Sequence, residues 1–361
     1  MPVDTVNDSL DEPKTHIAAA RFDCVRILAD DLTGACDSAA PFAACGFGVR
    51  VWLGPTGKAE EPVQAFNTAS RGLLPRLAAD AVTRAAVGIA RGQRTLWFKK
   101  VDSAGRGAIA AELRATHEAL GTRAILFAPS FPEAGRTVSG GVLRVEDAAG
   151  LRTVDLMELF APEFSRVDCV AAAWQVADTL EGGGLLLVCD ATTPDELENL
   201  AAIDEPGLLY AGSAGLAKAL AGPGAETPMA RVPQVKTAMT VCGTPHRATQ
   251  IQMAHLGEAL PEHPRLQVKA EAGDAALIVE EFQRHDPEAM ILTGGDTALL
   301  ALTALGADSI TLRGELAAGI PWGFVRGGMA DGRIVVTKSG GFGDTTSLTR
   351  LVRLLTAERE G

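Results

Sequence analysis

From Cys24 onward, short runs of Val, Ile and Leu alternate with Ala-rich segments of helical length, and several of the runs end on Asp, Gly or Pro. CVRILAD, GVRVWLG, TLWFKKV, RAILFAP, GLLLVCD and GLLYAG read as strands, and residues 75–91, 108–120, 194–202 and 213–220 read as helices. Strand and helix in alternation predict an α/β fold with mostly parallel sheets covered on both faces. Ligands of such sheets bind beyond the carboxyl ends of the strands, where the Asp- and Gly-rich turns fall. Residues 221–235 (AGPGAETPMARVPQV) break the alternation with three Pro and two Gly. Beyond them TAMTVCG, RLQVKA and AMILTGG read as strands, with helices at 247–260, 275–283 and 297–305. Short strands at 309–312, 323–326 and 333–337 and a helix at 345–357 close the chain. The expectation is two three-layer α/β domains, 21–222 and 236–361, joined by a linker at 223–235 behind a disordered tail at 1–20, with the active site in the interdomain cleft.

Charge narrows the partners. With 33 Lys and Arg against 45 Asp and Glu, the formal charge is −12, which repels nucleic acid and anionic membrane surfaces. An anionic ligand must therefore be held by local cations or backbone amides. The six cysteines sit singly, mostly in apolar runs, as buried thiols of a reducing compartment would. Residues 1–20 lack the basic and apolar regions of a signal peptide, and no run reaches the roughly 20 apolar residues of a membrane span. A cytoplasmic protein is expected.

The turns of the first expected domain are charged. ADDLTGACD (29–37) places Asp30 and Asp31 between a strand and a helix start; one Asp would serve as a cap, and the second is more than a cap requires. WFKKVDSAGRG (97–107) supplies Lys99 and Lys100 pointing in alternate directions, one towards a ligand and one solvated, followed by Asp102, Ser103 and Arg106. NTASR (67–71) adds Arg71, and the Pro- and Gly-rich loop APSFPEAGRTVSGG (128–141) adds Arg136. The later turns are of another kind. VCGTPHRATQ (241–250), LTGGDTA (292–298) and KSGGFGD (338–344) each hand a strand to a helix through glycine. Gly is unusually common, at 39 of 361 residues, or about 11% against an average near 7%. Three glycine turns converging at one sheet edge would make a phosphate cradle of backbone amides. The chain has no G-x-x-x-x-G-K-[ST], so this is not a P-loop, and no G-x-G-x-x-G opens the first βα unit.

Taken in order, ADDLTGACD, NTASR, KKVDSAGRG, FPEAGRTVSGG, YAGSAGLAKAL (210–220), LTGGDTALLAL (292–302), GELAAGIPWG (314–323) and VVTKSGGFGD (335–344) resemble the four-carbon acid sugar kinase family over nearly the whole chain. The resemblance implies an N-terminal substrate domain, a C-terminal nucleotide-binding domain, and ATP-dependent phosphorylation of tetronates such as threonate, erythronate or 3-oxo-tetronate. Carried over, the nucleotide contacts fall at Thr244, Gly294, Gly295, Asp296, Thr297, Gly340 and Gly341, to which the glycine turns add Gly343. The sugar-acid contacts fall at Asp31, Arg71, Lys100, Asp102 and Arg106, and the charged turns themselves add Asp30, Ser103 and Arg136 as substrate-binding candidates. Two departures bear on substrate identity: relatives read DSTLRG where this chain has Ala104 and Gly105 inside DSAGRG, and GSCS where it has Gly243, Thr244, Pro245 and His246.

The expected reaction is therefore phosphoryl transfer to a small sugar acid, with ATP and Mg²⁺ as cofactors and Asp31, Asp102 and Arg106 as the catalytic group. Such transfer needs in-line positioning and charge neutralisation more than covalent chemistry. Asp31 or Asp102 would orient or deprotonate the accepting hydroxyl, with Asp31 slightly favoured. No metal-ligand set is read from the sequence, and a homodimer is left open. The alternatives are a kinase for another small hydroxy acid or polyol, prompted by Ala104 and Gly105, and a non-catalytic ligand-binding or effector protein on the same fold.

Overall fold

The computed structural model describes residues 21–89, 92, 94–147, 150–222 and 232–356; the expected tail and most of the expected linker lie outside them. Elements are numbered in chain order. Eight strands of the first half pair in parallel: β2 (Val49–Trp52), β3 (Val63–Asn67), β1 (Cys24–Ala29), β4 (Thr95–Lys100), β11 (Leu208–Gly212), β5 (Ala124–Ala128), β10 (Leu186–Cys189) and β9 (Val167–Val170), in that spatial order. In the second half β13 (Arg265–Gln267), β12 (Ala238–Cys242), β14 (Ala289–Thr293) and β17 (Ile334–Lys338) are parallel, and β16 (Ile320–Arg326) and β15 (Ser309–Ala317) follow as an antiparallel pair. The mostly parallel α/β class is as expected.

The two sheets are not separate. Ser309–Leu312 of β15 pair antiparallel with Val49–Trp52 of β2, fusing everything into one 14-stranded sheet. The two halves therefore run in opposite senses, and a flat sheet would send their carboxyl edges to opposite ends. Sheets twist by about 20–25° per strand, so the pairings between β14 and β1 accumulate roughly 120–150°. Bulges in β15 at Leu312/Gly314 and Glu315/Ala317 add to the twist. That rotation brings the two carboxyl edges round to one cleft.

The helices among the described residues are α1 (Leu32–Ala44), α2 (Pro75–Gly88), α3 (Ile109–Leu120), α4 (Leu156–Phe160), α5 (Gln175–Glu181), α6 (Pro194–Ala201), α7 (Ala214–Ala221), α8 (Arg247–Ala259), α9 (Asp274–His285), α10 (Gly295–Ala304) and α11 (Ser347–Thr356). α1 is buried from Leu32 to Phe42, and its small residues let it sit at the seam, against β15, β16 and β17 as well as β1 to β4 and α10. One apolar cluster runs through that seam, from Leu126 and Ala35 to Met290 and Val335. None of these helices is long and apolar enough to cross a membrane.

Some local expectations give way. The loop expected around Arg136 instead contributes β6 (Arg136–Ser139), which with β7 (Val142–Asp147) and β8 (Gly150–Asp155) forms a small antiparallel sheet. Four cysteines are buried, whereas Cys169 is exposed and Cys45 is half-buried; all six are free thiols.

Candidate active site

The charged turns and the glycine turns face each other across one cleft of about 580 Å³. On one wall lie Asp31, Asp37, Arg71, Lys100, Asp102, Ser103, Arg106 and Arg136; on the other lie Gly243, Thr244, Gly294 to Thr297, Gly340 and Gly341. Two expected residues stand outside the lining. Asp30 is buried behind Arg71, and Gly343 lies past the cleft on the way into α11.

The charged wall is organised by Arg71. Its Nε and Nη2 donate to Asp30 at 2.8 Å each, while Nη1 and Nη2 donate to Asp31 at 2.6 and 2.9 Å. Asp31 also caps α1, accepting from the Gly34 amide at 2.7 Å and the Thr33 hydroxyl at 2.8 Å. Asp102, one turn away, accepts from Arg106 Nε and Nη2 at 2.8 Å each and from the amides of Ala104 and Arg106. Burial would raise both Asp30 and Asp102, but the arginine charges and hydrogen bonds outweigh it and leave both below the usual carboxylate range, Asp102 far below.

Lys100 points towards the cleft, beside Gly34, and donates to the Val101 carbonyl at 2.8 Å. Lys99 points to the opposite face, as strand alternation requires, but it is not solvated. Its ammonium is fully buried against Glu112 of α3 at 2.6 Å. Helix α3 covers that face of the sheet, so the expectation of a solvated partner is corrected.

The other wall is backbone. A Cβ at Gly243 would lie 2.4 Å from Thr297 Oγ1, one at Gly294 would lie 3.1 Å from Thr244 Cβ, and one at Gly340 would lie 2.6 Å from Thr244 Oγ1. Glycine is therefore what lets the three turns meet. Gly294, at φ 101°, starts α10 with no side-chain cap, so the first amides of that helix have no side-chain acceptor at their cap. His246 stands where relatives carry a hydroxyl, and its Nδ1 caps α8 by accepting from the Ala248 amide at 3.3 Å. Thr249 and Gln252 of α8 hold the last turn by donating to the Gly340 and Phe342 carbonyls at 2.7 and 3.0 Å.

The walls touch at two places. A Cβ on Gly295 would lie 2.5 Å from Asp31 Oδ2, so the start of α10 abuts the start of α1. At the other end Phe342 packs edge-on to Phe131 at 6.2 Å, with the Arg136 guanidinium 5.6 Å from its ring centre.

Three charged lining residues were not singled out from the sequence. Asp37 ends the ADDLTGACD run, where it passes for an ordinary helix position. Arg152 of β8 donates to the Ala104 carbonyl at 2.9 Å, and Lys269 follows β13. Arg152 was invisible because its sheet was read as loop.

Residues 25–166 match a sugar-binding N-terminal domain and residues 272–348 a nucleotide-binding C-terminal domain. A D-threonate kinase of Bordetella bronchiseptica is 30% identical over 410 residues, covering 93% of this chain and 98% of the relative. The chain belongs to the four-carbon acid sugar kinase family. Its reaction class is accordingly that of a kinase, a phosphotransferase. Another relative in this family, the D-threonate kinase of Cupriavidus necator, is 29% identical over 92% of this chain and 98% of its own length. In fold, the chain is similar to a Haemophilus influenzae protein at TM-score 0.67 and 18% identity, covering 89% of this chain and 97% of that one. A Salmonella typhimurium protein reaches 0.74 at 20% identity, with 93% and 100% covered.

Proposed function

We propose that the protein transfers the γ-phosphoryl group of ATP to a hydroxyl of a four-carbon sugar acid of the threonate, erythronate or 3-oxo-tetronate type. In this reading residues 21–222 bind the acid and residues 236–361 bind the nucleotide. The observation that carries it is the apposition, across one cleft, of a wall of glycine turns with a helix start that has no side-chain cap and a wall of fixed cations. Amides at the Gly243, Gly294 and Gly340 turns suit a polyphosphate. Lys100, Arg106 and Arg136 would hold the sugar carboxylate and the transferring group, with Ser103 beside them. Arg71, its guanidinium already committed to Asp30 and Asp31, would fix the frame they stand on.

Mg²⁺ fits this donor set only in company with the nucleotide. Among the described residues no three His, Cys, Asp or Glu side chains cluster to hold a metal by themselves. Asp296, exposed in the first turn of α10, would share the ion with phosphate oxygens. Bound there, Mg²⁺ would neutralise charge on the phosphates. The residues' own contribution is to align donor and acceptor and to exclude water as the walls close.

Measuring ADP release across a panel of four-carbon sugar acids tests the reading. Turnover with one of them is expected; ATP binding with no turnover on any would overturn the substrate assignment. A kinase for a longer hydroxy acid is favoured by one feature. Gly105, at φ 76°, has Val154 Cγ2 packed 3.2 Å from where a Cβ would be, so β8 reshapes a turn that carries Leu in relatives. Extending the panel to five- and six-carbon acids separates the two.

A further inference from the structure

We propose that Asp37 is the group that accepts the proton from the substrate hydroxyl during phosphoryl transfer. The assignment rests on the sugar-acid kinase reading and names the side chain that completes it. It begins with acceptor counting, because an ionised carboxylate offers about four lone-pair positions. Asp31 has all of them engaged, Oδ1 by the Gly34 amide and Arg71 Nη2, Oδ2 by the Thr33 hydroxyl and Arg71 Nη1. Asp102 is held by both Arg106 side-chain donors and two amides, and both oxygens of Asp30 are held by Arg71. Asp31 has no lone pair left for a proton, Asp102 is tied to the Arg106 charge that opposes protonation, and Asp30 lies outside the cleft lining behind Arg71.

Asp37 is different. It shares with Thr33 and Gly34 the face of α1 that lines the cleft, it is only 6% exposed, and its Oδ1 is buried without a hydrogen-bond partner. A buried polar oxygen left unpaired is costly, and such an exception in a native fold calls for an explanation. The carboxylate therefore keeps lone pairs for a substrate hydroxyl, which Asp31 does not. The position is also right for one. Gly319, in the turn between β15 and β16, comes within 3.5 Å of Asp37 Oδ1 at its would-be Cβ and 3.2 Å of the Phe342 ring, which closes that side. With Oδ1 sealed on that side, Asp37 still lines the cleft between the charged wall and the glycine turns.

Several charged groups face Asp37. They are Asp31 at the start of its own helix, Lys100 from β4, Arg71 from the turn after β3, and Glu315 from β15, with Lys218 and Glu133 beyond Glu315. Burial dominates and pushes the carboxyl up to about 6, Asp31 adding to the rise while Lys100 and Arg71 oppose it. A base with that affinity is ionised at neutral pH yet basic enough to take a proton in the transition state. In the step, the hydroxyl oxygen bonds to the γ-phosphorus, and the bond from that phosphorus to the bridging oxygen breaks with its electron pair leaving on ADP. The hydroxyl proton passes to Asp37 Oδ2, the oxygen not sealed against the Gly319 turn, and is later lost to solvent.

The test is steady-state kinetics of the full chain and its Asp37→Asn variant against pH, with ATP and the sugar acid that gives turnover. The expected result is a kcat loss of roughly 10²–10⁴-fold with both KM values within about 3-fold of wild type. Wild-type kcat/KM should fall as pH drops through about 6, and that limb should be missing from the residual activity of the variant. Turnover by Asp37→Asn within about 3-fold of wild type, or an unchanged acid limb, would overturn the assignment. Should that variant not fold, Asp37→Ser carries the same expectations, and a wild-type profile flat from pH 5 to 7 would by itself refute Asp37. Wild-type protein that turns over no acid defeats the kinase reading as well; a competent wild type with an indifferent variant defeats Asp37 alone.

Discussion

In the proposed reading, the two walls of the cleft would hold anions in an acidic chain by opposite means. On the first, positive charge sits on side chains, and much of it is already matched: Arg71 by Asp30 and Asp31, Arg106 by Asp102. On the second, the donors are backbone amides at glycine turns, which bring partial positive charge with no counter-ion and no side-chain entropy. The difference teaches a division of labour. Matched ion pairs fix geometry and favour one shape of acid, whereas an amide cradle accepts any polyphosphate that reaches it.

The comparison breaks most severely at Arg71. Arg71→Ala strands Asp30 and Asp31 without their cation, and removing one partner of a buried pair costs about 3–5 kcal/mol. Chemical denaturation should show that loss together with abolished turnover; a stability within error of wild type would mean the charged wall is not a frame. On the other wall, Gly340→Ala places a methyl 2.6 Å from Thr244 Oγ1. It should weaken ATP binding by calorimetry about 10-fold or more, or ~1.4 kcal/mol, with little effect on the fold. Unchanged affinity would remove that turn from the cradle. Phe342→Ala deletes the aromatic and cation–π contact between the walls and should cost about 1–2 kcal/mol in denaturation. An unchanged midpoint would show that the walls are held together elsewhere.

The smallest effect is a slope. Burial, reinforced by the charge of Asp37, pushes the Glu315 carboxyl up to about 8 from an ordinary 4.5. The folded chain therefore binds that proton more tightly than the unfolded chain, so its contribution to stability is full at low pH and is lost as pH rises from about 4.5 through about 8. Glu315→Gln should flatten that part of the stability profile, and an identical profile would place the titration elsewhere.

Much of this was legible in the sequence because it is local. Runs such as CVRILA and AMILT carry their own strand signal, and the turns after them fall at the ligand edge by the logic of parallel sheets. What escaped is non-local or lacks periodicity. The pairing of Ser309 with Trp52 joins residues about 250 apart, and nothing near either one announces it. Helix α1 is buried all round, so it shows no polar face by which Asp37 would stand out as an intruder. The sheet containing Arg136 and Arg152 hides behind Pro and Gly. The counter-ion of Lys99 sits on a helix whose docking the sequence does not specify. Which carboxylate is saturated and which is open is a property of packing alone.

The central claim is that one wall binds the nucleotide and the other the acid. It is tested most directly by determining both KM values, for ATP and for the sugar acid, in Gly340→Ala and Arg106→Ala. The account predicts a crossed result: Gly340→Ala raises the KM for ATP about 10-fold or more and leaves that for the acid within about 3-fold, while Arg106→Ala does the reverse. If both variants shift the same KM, or each shifts both equally, the division between the walls is wrong.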